Sequence, residues 1–217
     1  MEKFTEALKV KEWIKELEKN GIIIKSITEK ALVYKRNGEL LFALLGIDAK
    51  DSNDIPLLPT VLVRGHFVSV VTCLKEKETN ERYFLLVKQI RVATGSIFYE
   101  HPAGMCDSEI DPYTVALKEV KEETGLSIKR DNLELLWEEP LYSSPGLLDE
   151  AGYFFSCEIE LTKKEIDEYR DKLTGAEGES EFIETFVCPA KDIMNYIKNS
   201  SGIMSTLLFA RKKGIEV

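Results

Sequence analysis

Histidine is nearly absent, with two in 217 residues, and the four cysteines, Cys73, Cys106, Cys157 and Cys188, are scattered without a C-x-x-C spacing. The chain therefore offers no zinc ligand set, and free, mostly packed thiols are expected rather than disulfides. No apolar run approaches the ~18 residues of a membrane-spanning helix. The N-terminal stretch MEKFTEALKVKEWIKELEKNG is charged throughout and has no apolar signal-peptide core. A soluble, cytoplasmic protein without a membrane partner is expected. Positive charge is also short, since 29 Lys and Arg against 38 Asp and Glu leave a formal net charge of −9. That balance lacks the basic stripe of a nucleic-acid binder, so no nucleic-acid partner is expected. There is no internal repeat and no low-complexity tract. Asn199-Ser200-Ser201 matches a glycosylation acceptor, a chance match outside the secretory route.

What remains is an ordinary globular composition, 44% hydrophobic and 31% charged, long enough to bury a good core. Ala7, Val10, Ile14 and Leu17, with Trp13 alongside, have helical spacing that ends at Asn20-Gly21. Apolar runs at Ala31–Tyr34 and Leu40–Leu45 flank Asn37-Gly38, a strong hairpin signal. Residues 48–60 read as a linker, which makes 1–60 an N-terminal helix and hairpin appendage and 61–217 the main domain. In the main domain, strands are expected at about His66–Leu74, Tyr83–Gln89, Ile97–Pro102, Leu133–Trp137, Tyr153–Ile159 and Phe182–Cys188. Thr162 with Glu165 makes a capping box for a helix to about Leu173, and helices at about Ala190–Asn199 and Ser201–Lys213 end the chain. Strands and helices mix without regular βαβ repetition, which predicts an α/β fold with a mixed sheet packed between helices.

The most informative stretch runs from Gly104 to Leu126, GMCDSEIDPYTVALKEVKEETGL. Asp111 suits an N-cap, Pro112 the first helical position and Gly125 the left-handed residue past the end, so a helix is predicted over Pro112–Thr124. At ~100° per residue, Tyr113, Ala116, Leu117 and Val120 share an apolar face while Glu119, Glu122 and Glu123 gather on another. Like charges at these spacings repel by a few tenths of a kcal/mol per pair, roughly. A hard divalent cation with oxygen ligands would take up that repulsion, Mg²⁺ above all, with Mn²⁺ as a substitute. The plain alternative is the solvated face of a surface helix.

This stretch resembles the signature of the Nudix hydrolases: Gly, five residues, Glu, seven residues, Arg-Glu, an aliphatic residue, any residue, Glu-Glu, any residue, Gly and an aliphatic residue. Gly104, Glu119, Val120, Glu122, Glu123, Gly125 and Leu126 match in register. Ile110 stands where the first Glu is expected, between Glu109 and Asp111, and Lys118 replaces the Arg. In the family those two positions form a supporting ion pair, and Lys lacks the bidentate fork of Arg.

The resemblance extends from about Arg64 to Arg211 and narrows to the branch acting on ADP-ribose and nucleoside diphosphate sugars. Arg64-Gly65-His66, Gln89-Ile90-Arg91, Glu100-His101-Pro102-Ala103-Gly104 and Ser144-Pro145-Gly146 with Glu150 carry it. It implies metal binding by Glu119, Glu123 and the Ala103 carbonyl, with Glu122 in support. It implies substrate contacts from Arg64, Arg91, Glu100 and Glu150. A glutamate after Leu173 would complete the site as general base or metal ligand, Glu181 first, Glu179 second and Glu150 a distant third. His66 is left unassigned. The implied function is a Mg²⁺-dependent pyrophosphohydrolase that splits an ADP-ribose or ADP-glucose type substrate into a nucleoside monophosphate and a sugar phosphate. The alternatives are a non-hydrolytic nucleotide-binding module on the same fold, or an enzyme for UDP-glucose or GDP-mannose. The implied assembly is a homodimer formed through residues 1–60, whose hairpin has more apolar surface than a short appendage buries alone.

Overall fold

The computed structural model describes residues 3–107, 111–175 and 183–217. In chain order the strands are β1 (Ile23–Tyr34), β2 (Leu40–Lys50), β3 (Thr60–Val63), β4 (Phe67–Glu76), β5 (Arg82–Arg91), β6 (Ser96–Glu100), β7 (Ala103–Met105), β8 (Glu134–Leu135), β9 (Leu141–Tyr142), β10 (Ala151–Leu161), β11 (Leu173–Thr174) and β12 (Ile183–Pro189). The helices are α1 (Leu8–Lys19), α2 (Pro112–Thr124), α3 (Lys163–Asp167) and α4 (Ser200–Lys213), with short 3₁₀ turns at Phe4–Glu6, Arg130–Asn132 and Ala190–Asn195. Two compact units result: residues 1–67 with 105–110 and 141–152, and residues 68–104 with 111–140 and 153–217. Among the described residues no helix is long and apolar enough to cross a membrane.

In the first unit β1, β2 and β3 form an antiparallel sheet in that order. Its core is Ala7, Val10, Leu40, Ala43, Leu45 and Val63, with Trp13, Ile14 and Ile27 packed against it. The helical stripe read from the sequence is thus the face that α1 buries. Residues 48–60, expected as a linker, are structured instead. β2 continues to Lys50, and the Asp51 carboxylate accepts the Asn53 and Ile55 N–H groups at 2.9 and 2.8 Å. Those two bonds make a polar turn that returns the chain to pair β3 with β2. Lys9 is almost fully buried, and its ammonium reaches the Leu41 carbonyl at 2.8 Å and Asp107 at 2.7 Å. A buried ammonium needs this pairing, since an unpaired one costs several kcal/mol, roughly.

The second unit is built on a mixed sheet whose main path runs β11-β12-β5-β4-β10-β8, with β6 beside β5 and β7 beside β4. Its core is dense in β4 and β5, where Val70, Val71, Leu74, Phe84, Leu85 and Leu86 are fully buried. On β10, Phe155 meets Tyr113 of α2 edge to face, with ring centres 4.7 Å apart. On β5, Phe84 meets Phe209 of α4 in the same way at 5.7 Å. Three expected elements are shorter than their sequence pattern. α3 stops at Asp167, because Asp171 turns at φ 50° and its N–H, with that of Lys172, is taken by Thr185 of β12. β8 keeps two residues, and Trp137 is left half exposed. The turn at 190–195 is 3₁₀ rather than a helix reaching Asn199. Cys73, Cys157 and Cys188 are buried free thiols, and burial pushes the Cys157 thiol up to about 12.

Candidate active site

α2 begins and ends where its capping residues place it. The Asp111 carboxylate accepts the Tyr113 N–H at 3.3 Å and the Thr114 hydroxyl at 2.8 Å. Gly125 sits at φ 75°, its N–H on the Lys121 carbonyl. Arg130 braces the N-terminus. It pairs with Asp111 at 2.6 Å and lies 4.1 Å over the Tyr113 ring. Arg130 is the main cause that holds the Asp111 carboxyl below its ordinary range, with Thr114 next.

The C-terminal half of α2 presents Glu119 and Glu123 to β7. Glu123 is buried, and its carboxylate accepts the Ala103 N–H at 2.9 Å. Glu119, one turn earlier, lies against Gly104. A Cβ on residue 104 would overlap the Glu119 carboxyl group and stand 2.5 Å from its Cγ. Glycine here is a matter of space for a carboxylate. Glu122 faces Lys118 instead, 3.4 Å away within the helix. The last turn of α2 is held from outside: the Thr174 hydroxyl donates to the Glu123 carbonyl and the Gly175 N–H to that of Glu122 at 3.2 Å.

His101 sets the chain entering β7. It is fully buried, and burial pushes its pKa down to about 3. The Thr206 hydroxyl donates to the Gly202 carbonyl at 2.8 Å, so its oxygen accepts from His101 Nε2–H, also at 2.8 Å. His101 Nδ1 has no partner among the described residues. A histidine pulled below its unfolded value of 6.5 stays neutral in the fold while the unfolded chain takes up a proton. Its contribution is therefore intact above that value and is lost as pH falls from there toward the folded value. Denaturant unfolding in EDTA should show about 2 kcal/mol more stability lost between pH 7 and pH 5 in the wild type than in His101→Leu. Equal losses in the two proteins would contradict this.

Arg91 is the last residue of β5 and Glu100 the last of β6. Glu100 stands opposite Val87, and Arg91, four residues on, shares that strand face and folds back to pair with Glu100 at 2.8 Å. In the first unit the Arg64 guanidinium pairs with the buried Glu150 carboxylate. The neighbouring Asp149 carboxylate accepts the Arg64 N–H at 2.7 Å and the Gly65 N–H at 3.2 Å. Burial raises the Asp149 pKa against the pull of those two donors.

Among the described residues no three His, Cys, Asp or Glu side chains stand together where they could hold a metal ion. The donor set around Ala103 and Gly104 nevertheless suits Mg²⁺, an ion held by one or two carboxylates that keeps waters and substrate phosphates as further ligands. Glu119 and Glu123 are such a pair, and the space that a Cβ on residue 104 would fill is kept open for one of them.

A model of the NUDIX domain matches residues 65–201, well over half of the chain. The chain belongs to the Nudix hydrolase family. Nudix hydrolase 14, chloroplastic, of Arabidopsis thaliana is 29% identical over 222 residues, covering 94% of this chain and 71% of that protein. The ADP-ribose pyrophosphatases of Saccharomyces cerevisiae and Bacillus subtilis are 32% and 30% identical over 120 and 125 residues. Those matches cover 55% and 56% of this chain, and 48% and 59% of the two relatives. The crystal structure of an ADP compounds hydrolase superposes with a TM-score of 0.62 over 89% of this chain and 96% of its own, at 18% identity, a likeness of fold.

The Nudix signature glutamates Glu119 and Glu123 come together with Ala103 and Gly104, Glu123 through the Ala103 N–H, and Glu122 stands aside toward Lys118. Arg91 with Glu100, and Arg64 with Glu150, form pairs that sequence reading named singly. Glu109, Ile110, Glu179 and Glu181 lie outside the described residues. Sequence reading missed Asp149, Arg130, Thr174 and the His101–Thr206 bond. Each acts on a stretch distant in the sequence, and no local spacing signals that.

Proposed function

We propose that this Nudix hydrolase cleaves the diphosphate of a nucleoside diphosphate sugar, of ADP-ribose or ADP-glucose type, to a nucleoside monophosphate and a sugar phosphate, with Mg²⁺ as cofactor. The observation that carries the reading is the convergence of Glu119 and Glu123 on the Ala103–Gly104 edge. Glu119, Glu123 and the Ala103 carbonyl would hold the ion, with Glu122, which faces Lys118, in support from the same helix. Once bound, a divalent ion lowers the pKa of water and offsets the charge that develops on the diphosphate.

The remaining work falls to the chain's own side chains. Arg91 and Arg64 are each fixed on one side by a carboxylate, Glu100 and Glu150. A guanidinium carries five N–H donors in a planar fork, so one held this way still turns N–H groups toward non-bridging phosphate oxygens. The proton from the attacking water is assigned to Glu181, with Glu179 next. The last described residue before them, Gly175, is hydrogen-bonded to the Glu122 carbonyl at the glutamate turn. The ADP-type substrate is supported by the two ADP-ribose pyrophosphatase relatives.

A product-resolved screen of ADP-ribose, ADP-glucose, UDP-glucose and GDP-mannose with Mg²⁺ tests the reading. The ADP-sugars should turn over fastest and give AMP with a sugar phosphate. The rival is a non-hydrolytic nucleotide-binding module, favoured by Lys118, which stands at the signature arginine position and pairs with Glu122. Nucleotide-dependent thermal shifts with no product from any of the four compounds would establish that rival.

A further inference from the structure

The segment before β4 and the loop before β10 are far apart in the sequence and joined by a run of contacts. Leu62 N–H donates to the Leu147 carbonyl at 2.9 Å, and Leu62 bridges Leu148 in parallel. Next along both stretches, Arg64 N–H and Gly65 N–H converge on the Asp149 carboxylate, and the Arg64 guanidinium then reaches Glu150. The loop that supplies these acceptors is closed on itself. Ser143 N–H donates to the Glu150 carbonyl at 3.1 Å, and the Leu147 and Leu148 N–H groups donate to the Ser144 carbonyl at 3.1 and 2.9 Å. On the other side of the turn, Gly65 stands at φ 83°, where a Cβ would lie 3.0 Å from that of Lys9. The backbone under Arg64 is thus held between a rigid carboxylate and a buried lysine stem.

We infer that Asp149 is the positioning residue that fixes the Arg64 backbone, so that the Arg64 guanidinium is presented in one orientation to the diphosphate. Asp149 acts through Arg64 and touches no substrate. This inference rests on the reading of Arg64 as a diphosphate contact. A charged carboxylate is the acceptor such a turn needs, because one oxygen takes Arg64 N–H while both lie within 3.2 Å of the Gly65 nitrogen. Asparagine in its place keeps the shape, but its amide accepts through a single oxygen and sets its own N–H groups against one of the two backbone donors.

The test is a double-mutant cycle with ADP-ribose and Mg²⁺, in which Asp149→Asn, Arg64→Ala and the double variant are assayed for KM and kcat, with thermal unfolding followed in parallel. Asp149→Asn should raise KM about tenfold with kcat changed less than about twofold, and should add less than about twofold to KM once Arg64 is gone, since contacting residues are non-additive. A merely structural role gives a lowered unfolding temperature and KM effects that multiply in the double variant, which would overturn the inference. Arg64→Ala raising KM while Asp149→Asn leaves it unchanged overturns the anchor and spares the reading of Arg64. Arg64→Ala with both constants unchanged removes Arg64 from that reading, and the anchor with it. If Asp149→Asn fails to fold, Asp149→Ser, which keeps one acceptor oxygen, carries the same cycle and the same expectations.

Discussion

Glu123→Gln should lower kcat with ADP-ribose and Mg²⁺ by at least the ~10²–10⁴-fold typical of one catalytic group, with the fold intact. The substitution keeps every heavy-atom position and removes the charge. Its amide oxygen still accepts the Ala103 N–H that Glu123 accepts at 2.9 Å, so the helix–strand contact survives. What is lost is the second of two negative oxygen donors beside the Ala103–Gly104 edge, and a hard divalent ion is held chiefly by those charges. Glu119→Gln should behave alike. Far-ultraviolet circular dichroism with steady-state kinetics checks the outcome, and near-wild-type turnover in a folded Glu123→Gln protein would remove this carboxylate from the site.

Gly104→Ala should cost nearly as much activity with little loss of stability. The added methyl would occupy the volume of the Glu119 carboxyl group. That group is the far end of a flexible side chain, so the chain relieves the overlap by swinging Glu119 away rather than by moving β7. The unfolding free energy should change by about 1 kcal/mol or less, as for substitutions that leave the core and its hydrogen bonds in place. Turnover should fall ~10²-fold or more, because the displaced carboxylate no longer faces the edge it shares with Glu123. A fully active Gly104→Ala enzyme would show that the place of Glu119 against Gly104 has no catalytic meaning. A large loss of stability would show that β7 itself is displaced.

Local signals were legible and distant ones were not. α2 runs from Pro112 to Thr124, as its caps predicted, because Asp111, Pro112 and Gly125 act on their immediate neighbours. The Thr162–Glu165 capping box also forms, yet α3 ends early because Thr185, on another strand, takes the backbone that the helix would have used. β1 starts at Ile23, well before the apolar run that revealed it, since most of its residues are exposed and give no clean alternation. At the site, the signature named Gly104, Glu119 and Glu123, while the packing of the Glu119 carboxyl against Gly104 is a product of the fold. It could not show that Glu122 faces Lys118, which depends on rotamers, nor that Asp149 holds the backbone of Arg64 across 85 positions. Lys9 and Asp107 are a further case. In the sequence each is one charge among many, and burial alone makes them a pair.

Mn²⁺ binding followed by electron paramagnetic resonance tests, without reference to turnover, whether Glu119 and Glu123 hold a divalent ion. Free Mn²⁺ gives a sharp signal that is lost on binding, so titration of the wild type and of the Glu119→Gln/Glu123→Gln double variant reads the site itself. The wild type should take up Mn²⁺ that excess Mg²⁺ displaces, and the double variant should bind at least about tenfold more weakly, as expected when charged oxygen donors are lost. Equal Mn²⁺ affinity in the two proteins would contradict the central claim.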